Sequence, residues 1–206
     1  VELRFLLDEV LAAVAAAKDM RSVMSVLRDY RHRELLRIAC GDFISGNSVA
    51  VVTEQLSNLA ECLVQGAVWG AERDLRMRRA VPLHADGTPV GFTVIALGKL
   101  GGGELNYSDD IELMFVYEDV REPNNPPRRA GTTSSAADDY FQRLGQLTIR
   151  LLGESTGRGI AYRVDMRRRP HGDQGPLAIS FSEAFNHYDM SGRTWERQVF
   201  IKARPI

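Results

Sequence analysis

The chain has 206 residues, with 26 Lys and Arg against 27 Asp and Glu and a net charge of −1. That balance excludes a general nucleic-acid binder, which needs a cationic excess to contact phosphate. With 44% apolar and 26% charged residues and no run near the ~18 apolar residues of a membrane span, it reads as a globular protein of one domain or two small ones, without a membrane partner.

Residues 1–79 read as helical. Leu3, Leu6, Leu7, Val10, Leu11 and Val14 recur at helical spacing. Val23, Met24, Leu27, Tyr30 and Leu35 mark a second apolar face, and Val49, Val52, Leu56, Leu59, Leu63 and Ala67 a third. Gly41-Asp42 and Ser45 to Ser48 separate the last two helices, and Ser48 is placed to cap the third. Cys40 and Cys62 lack metal-site spacing, so both are expected buried and reduced, as in a cytoplasmic protein. Trp69 and Trp195 are expected in the core, and His32, His84 and His187 at the surface or a boundary. The opening has no signal-peptide pattern, and the whole reads as a fragment of a longer polypeptide.

After a break at Pro82 to Pro89, strands are expected near 91–97 and 111–118, joined by a glycine-rich turn over 98–103. The proline-containing stretch 119–137 reads as a mobile loop, either a solvated insertion or a cover for substrate. Asp138 to Leu152 is a further helix. Gly159 to Pro170 predicts a strand, with Ile160, Tyr162, Val164 and Met166 alternating against Ala161, Arg163, Asp165 and Arg167. A short strand at Leu177 to Ser180 and helices near 182–189 and 193–203 complete the pattern. The fold class is α+β: a small mixed sheet flanked by helices, with a helical segment at 1–80 packing on a core at 81–206.

The chemistry concentrates on that sheet. Asp110 and Glu112 are two apart on a strand, so both carboxylates project from one face. Two such charges about 4 Å apart repel by roughly 4 kcal/mol at an effective dielectric near 20. A divalent cation offsets that repulsion, and oxygen ligands suit Mg²⁺. The plain alternative is a hydrated strand opening beside an Asx turn. Asp165, on a later strand, either joins the other two acids or pairs with Arg163 or Arg167, worth at most ~1 kcal/mol if exposed. Gly98, Gly101 and Gly102 form either a plain turn or an approach to phosphate, with Lys99 beside them. Arg167 and Arg169 have the geometry for bidentate phosphate contact, or are surface charge. Asp109 is expected in a turn, and His171 in a loop hydrogen bond.

The order of glycine-rich turn, D-h-[DE] and a lone later Asp resembles the nucleotidyltransferase superfamily associated with DNA polymerase β. The blocks GKLGGGELNY (98–107), SDDIELMFVY (108–117), YRVDMRRRPHGDQGPLAIS (162–180), TWERQVFIKAR (194–204) and YRHRELLRIACGD (30–42) resemble the glutamine synthetase adenylyltransferase family. That resemblance implies a polymerase-β-like core and Mg²⁺, two ions, replaceable by Mn²⁺, on Asp110, Glu112 and Asp165. It also implies ATP or ADP as substrate or product, glutamine synthetase as protein substrate, and a nitrogen-signalling protein as regulator. The HGDQGP wording resembles the adenylyl-removing half of such enzymes; AMP attachment, or a catalytically weak nucleotide-binding module, stays open. Two departures stand out. Glu112 replaces the family's usual Asp, and the added methylene shifts a bound metal by about an ångström, a displacement able to cost on the order of 100-fold in rate. Arg167-Arg168-Arg169 replaces Arg-Leu-Arg.

Overall fold

The computed structural model describes residues 2–120 and 136–206. Three helices open the chain: α1 (Leu3–Ala16), α2 (Met20–Phe43) and α3 (Val49–Arg76). Asp19 caps α2 by accepting from the Ser22 amide at 2.7 Å, and Ser48 caps α3 by accepting from Val51 at 3.5 Å. Their apolar stripes face one another, leaving Leu6, Val10, Val14, Val23, Leu27, Leu56, Leu59 and Leu63 buried. Two glycines on α3 let its neighbours close in. A Cβ at Gly66 would sit 2.5 Å from a Val10 methyl, and one at Gly70 would sit 3.0 Å from a Val23 methyl.

The sheet comprises β1 (Phe92–Ala96), β2 (Ile111–Tyr117), β3 (Val164–Asp165), β4 (Ala178–Ser180) and β5 (Arg204–Pro205), with α4 (Gly98–Gly101) and α5 (Ala136–Gly153) between them in sequence. It is mixed, in the order β3-β2-β1-β5, and β4 also pairs β2. β1 and β2 run antiparallel, Phe92 opposite Tyr117 and Ala96 opposite Leu113. β3 and β4 both lie parallel to β2, at its start and its end respectively. After β4 come α6 (Phe181–Asn186), a π turn at His187–Ser191 and α7 (Thr194–Val199).

Alternation along β2 divides the interior. Ile111, Leu113, Phe115 and Tyr117 join the large core shared with α3 and α5, whereas Met114 and Val116 join a smaller cluster with Leu97, Ile179 and Ala184. Gly145 on α5 admits Phe115, whose ring would lie 2.9 Å from an added Cβ. Helices and a small mixed sheet, as expected, make up the molecule.

Several local expectations are corrected. The strand over 159–170 shrinks to Val164–Asp165, because the Ala161 and Tyr162 amides both donate to Leu152 O at the end of α5. Ala161 and Tyr162 are consequently both buried, and the alternation fails there. The glycine turn contains one turn of helix, α4. Trp69 is 38% exposed, with the Arg73 guanidinium 5.2 Å from its ring centre. Cys40 is exposed while Cys62 is buried. His84 is buried, its Nε2 3.1 Å from Glu118 Oε2. The helix expected near 193–203 forms as α7 and a 3-10 turn at Phe200–Lys202, and β5 follows it as an unexpected short strand. Most of the expected loop at 119–137 and the side chain of Trp195 lie outside the described residues.

Candidate functional site

Pairing of β2 with β3 builds the site. Ile111 lies opposite Val164 and Glu112 opposite Asp165 in parallel register, so these two acids occupy adjacent strands about 4.8 Å apart. Ile111 fills the large core, which turns Asp110 and Glu112 to the other face. Ile111 N donates to Arg163 O at 3.0 Å, tying the start of β2 to the segment entering β3. The chain then turns away at once, because Arg167 N donates to Asp165 Oδ1 at 2.9 Å.

Each acid faces a guanidinium. Arg163 Nε donates to Asp110 Oδ1 at 2.7 Å, and Arg167 holds both Asp165 oxygens through Nε and Nη2, the shortest contact being 2.6 Å. Arg168 Nε lies 3.6 Å from Glu112 Oε2. The Arg167 hydrogen bonds keep the Asp165 carboxyl below its ordinary pKa, although partial burial opposes them. Arg167 is itself exposed, so the pair contributes little to stability.

Of the three acids, the glycine turn approaches Glu112. A Cβ at Gly98, whose φ is +55°, would lie 2.9 Å from Glu112 Oε2, so the missing side chain leaves room for that carboxylate. Gly101 and Gly102 serve packing instead. A Cβ at Gly101 would meet Lys202 O at 2.1 Å, and the Gly101 and Gly102 amides already donate to Leu97 O and Gly98 O. Lys99 is held by Asp109, its Nζ 2.9 and 3.0 Å from the two carboxylate oxygens. Asp109 also accepts from Asn106 N, making it the turn residue expected. Burial works against its charge, but the Lys99 and Asn106 hydrogen bonds prevail and hold its pKa down.

Arg169 is spent on the loop. It is 7% exposed and donates to Met166 O, Gly175 O and Pro176 O at 2.7 to 3.3 Å. That clamp supports the Gly172–Gln174 turn, where His171 adopts φ +62° and its ring packs 4.6 Å from His187. The consecutive arginines therefore divide: Arg167 and Arg168 face acids, while Arg169 faces carbonyls. Sequence reasoning placed Arg167 at the site, named Arg163 only as a possible partner of Asp165 rather than of Asp110, and missed Arg168.

A cavity of about 690 Å³ opens beside these residues, lined in part by Asp110, Arg163, Asp165 and Arg167. Its size is that of a small-molecule site. Glu112 lies outside that lining, toward Gly98 and Arg168.

The donor chemistry suits a hard divalent cation, with three carboxylates on one sheet face, two of them in direct register, and a guanidinium beside each. As placed, the carboxylates turn toward their separate arginines, and among the described residues no three His, Cys, Asp or Glu converge on one point. A cation shared by all three would require the arginines to release them.

Comparison with known proteins agrees with the motif reading. Residues 2–206 match the family described as Glutamate-ammonia ligase adenylyltransferase. A protein of Thioalkalivibrio sulfidiphilus (strain HL-EbGR7), named bifunctional glutamine synthetase adenylyltransferase/adenylyl-removing enzyme, is 41% identical over 95% of this chain and 20% of its own length. One of the same name from Shewanella loihica (strain ATCC BAA-1088 / PV-4) is 36% identical over 97% of this chain and 20% of its own length. The chain thus spans about a fifth of these relatives. Among the described residues no helix is long and apolar enough to cross a membrane.

Proposed function

Since the chain belongs to the glutamate-ammonia ligase adenylyltransferase family, we propose that it is a polymerase-β-like nucleotidyltransferase segment acting on glutamine synthetase, in the direction that removes AMP from an adenylylated tyrosine. The observation that carries this reading is the pairing of Glu112 with Asp165 across β2 and β3, with Asp110 on the same face beside a cavity of nucleotide size. The removing direction is supported by the HGDQGP wording at 171–176. A cytoplasmic location and control by a nitrogen-signalling protein follow from the same reading.

Asp110, Glu112 and Asp165 would hold Mg²⁺, which when bound supplies positive charge to the reacting phosphate and to the departing tyrosine oxygen. The chain's own residues do the rest. Gly98 leaves space for the Glu112 carboxylate, and Arg167 lines the cavity where a phosphate would enter. An oxygen of inorganic phosphate attacks the AMP phosphorus, and the bond from that phosphorus to the tyrosine oxygen breaks. The phenolate takes up a proton, leaving ADP and unmodified tyrosine. Phosphate is already ionised, so orientation and charge matter more than a strong base.

The test is product analysis. The chain is incubated with adenylylated glutamine synthetase, Mg²⁺ and phosphate, and separately with unmodified enzyme, Mg²⁺ and ATP. ADP release in the first mixture, lost in Asp110→Asn, supports removal. Pyrophosphate in the second mixture alone assigns attachment. Full activity in Asp110→Asn overturns the site.

A further inference from the structure

We infer that Arg163, Arg167 and Arg168 are exchangeable counterions of the acidic site, held by Asp110, Asp165 and Glu112 until a divalent cation displaces them and then free to clamp the phosphates of the ligand. This deepens the reading above and rests on it. It adds Arg163 and Arg168 to the site and gives Arg169 a scaffold role.

Three observations carry it. The pairing is one to one: each acid expected to hold metal has its own guanidinium at 2.6 to 3.6 Å. The arginines are also loosely anchored, with side-chain exposures of 71% for Arg163, 74% for Arg167 and 41% for Arg168. Ion pairs this exposed stabilise by ~1 kcal/mol or less, so a divalent ion with several oxygen ligands outcompetes them. Arg169, one residue on and 7% exposed, shows what an anchored arginine looks like here.

The third observation is placement. Arg163 and Arg167 line the same cavity as Asp110 and Asp165, so a guanidinium released from its carboxylate remains at the mouth of the space a ligand would fill. Guanidinium forks match phosphate as well as carboxylate. The acids thus pass from arginine to metal, and the arginines from carboxylate to phosphate.

The exchange predicts effects of opposite sign from one substitution. In Arg163→Gln or Arg168→Gln, Mn²⁺ alone, titrated by calorimetry against the whole chain, should bind severalfold more tightly, because a competing cation is gone. ADP titrated in saturating Mn²⁺ should bind about tenfold more weakly, because a charge-assisted phosphate contact is lost. Arg150→Gln is the control: Arg150 lines the same cavity but pairs with Glu154, and both affinities should stay within about twofold. Thermal melts of each variant within a few degrees of wild type establish that the fold is intact. If either titration is unmoved in both Arg163→Gln and Arg168→Gln, or moves equally in Arg150→Gln, the exchange is overturned. Mn²⁺ binding by wild type that Asp110→Asn abolishes, with the arginine variants unmoved, removes the exchange and keeps the acidic site. No Mn²⁺ binding by wild type removes both.

Discussion

The helical layer and the acidic edge of the sheet use the same side chain in opposite ways. On α2, Arg28 is fully buried, donating to Gly159 O at 2.7 Å, Met24 O at 2.9 Å and Leu151 O at 3.0 Å, with Glu154 O a further acceptor. Burial pulls its pKa below the ordinary arginine value, against the attraction of the Glu154 charge. It pins α2 to the end of α5 and to the turn at Thr156–Gly159, the stretch that leads into β3. At the sheet edge Arg163, Arg167 and Arg168 pair with carboxylates in the open. A cation enclosed by carbonyls is structural, whereas an exposed one that reaches a single carboxylate from the solvent side can leave. Arg169 repeats the first arrangement beside the site, so the contrast follows burial and not position in the chain.

The comparison breaks most easily at Arg28. Arg28→Met leaves three long-range carbonyl acceptors without their donor and should cost on the order of 3 kcal/mol, or roughly 10 °C in Tm. Urea unfolding measures it; a loss under about 1 kcal/mol would make Arg28 no different from the exposed arginines. Next comes the close packing between α1 and α3 in the same helical layer. Gly66→Ala drives a methyl to 2.5 Å from Val10 and should destabilise by about 1–3 kcal/mol; a neutral result would mean that the helical layer yields more readily than the contact implies.

At the sheet edge, Arg167→Gln should change stability by less than about 1 kcal/mol, and a drop as large as that of Arg28→Met would erase the distinction. The smallest effect is in pH. Arg167 holds the Asp165 pKa below 3.8 in the folded chain, so the pair's contribution is complete above the unfolded value near 3.9 and is lost as pH falls through the lower folded value. Stability of wild type should therefore decline slightly more than that of Arg167→Gln between about pH 4 and pH 3. The reverse ordering would place another partner on Asp165.

Much of this architecture is legible one segment at a time. The α1 stripe of Leu6, Val10 and Val14, the Ser48 cap and the two-residue spacing of Asp110 and Glu112 are local patterns, fixed by helix and strand periods. Nonlocal contacts decided the exceptions. Ala161 and Tyr162 leave strand alternation because their amides are taken by Leu152 O, and Trp69 meets water and Arg73 although its neighbours are apolar.

Residue order and short-range periodicity therefore mark most helical and strand segments, the family motifs and the three acids expected to act together. Tertiary contacts alone set which acid faces which arginine, place Glu112 opposite Asp165, and enclose Arg169 while leaving Arg167 exposed on Asp165. Strand register and burial arise from partners far along the chain, and three adjacent arginines carry no mark of which one the fold will cover.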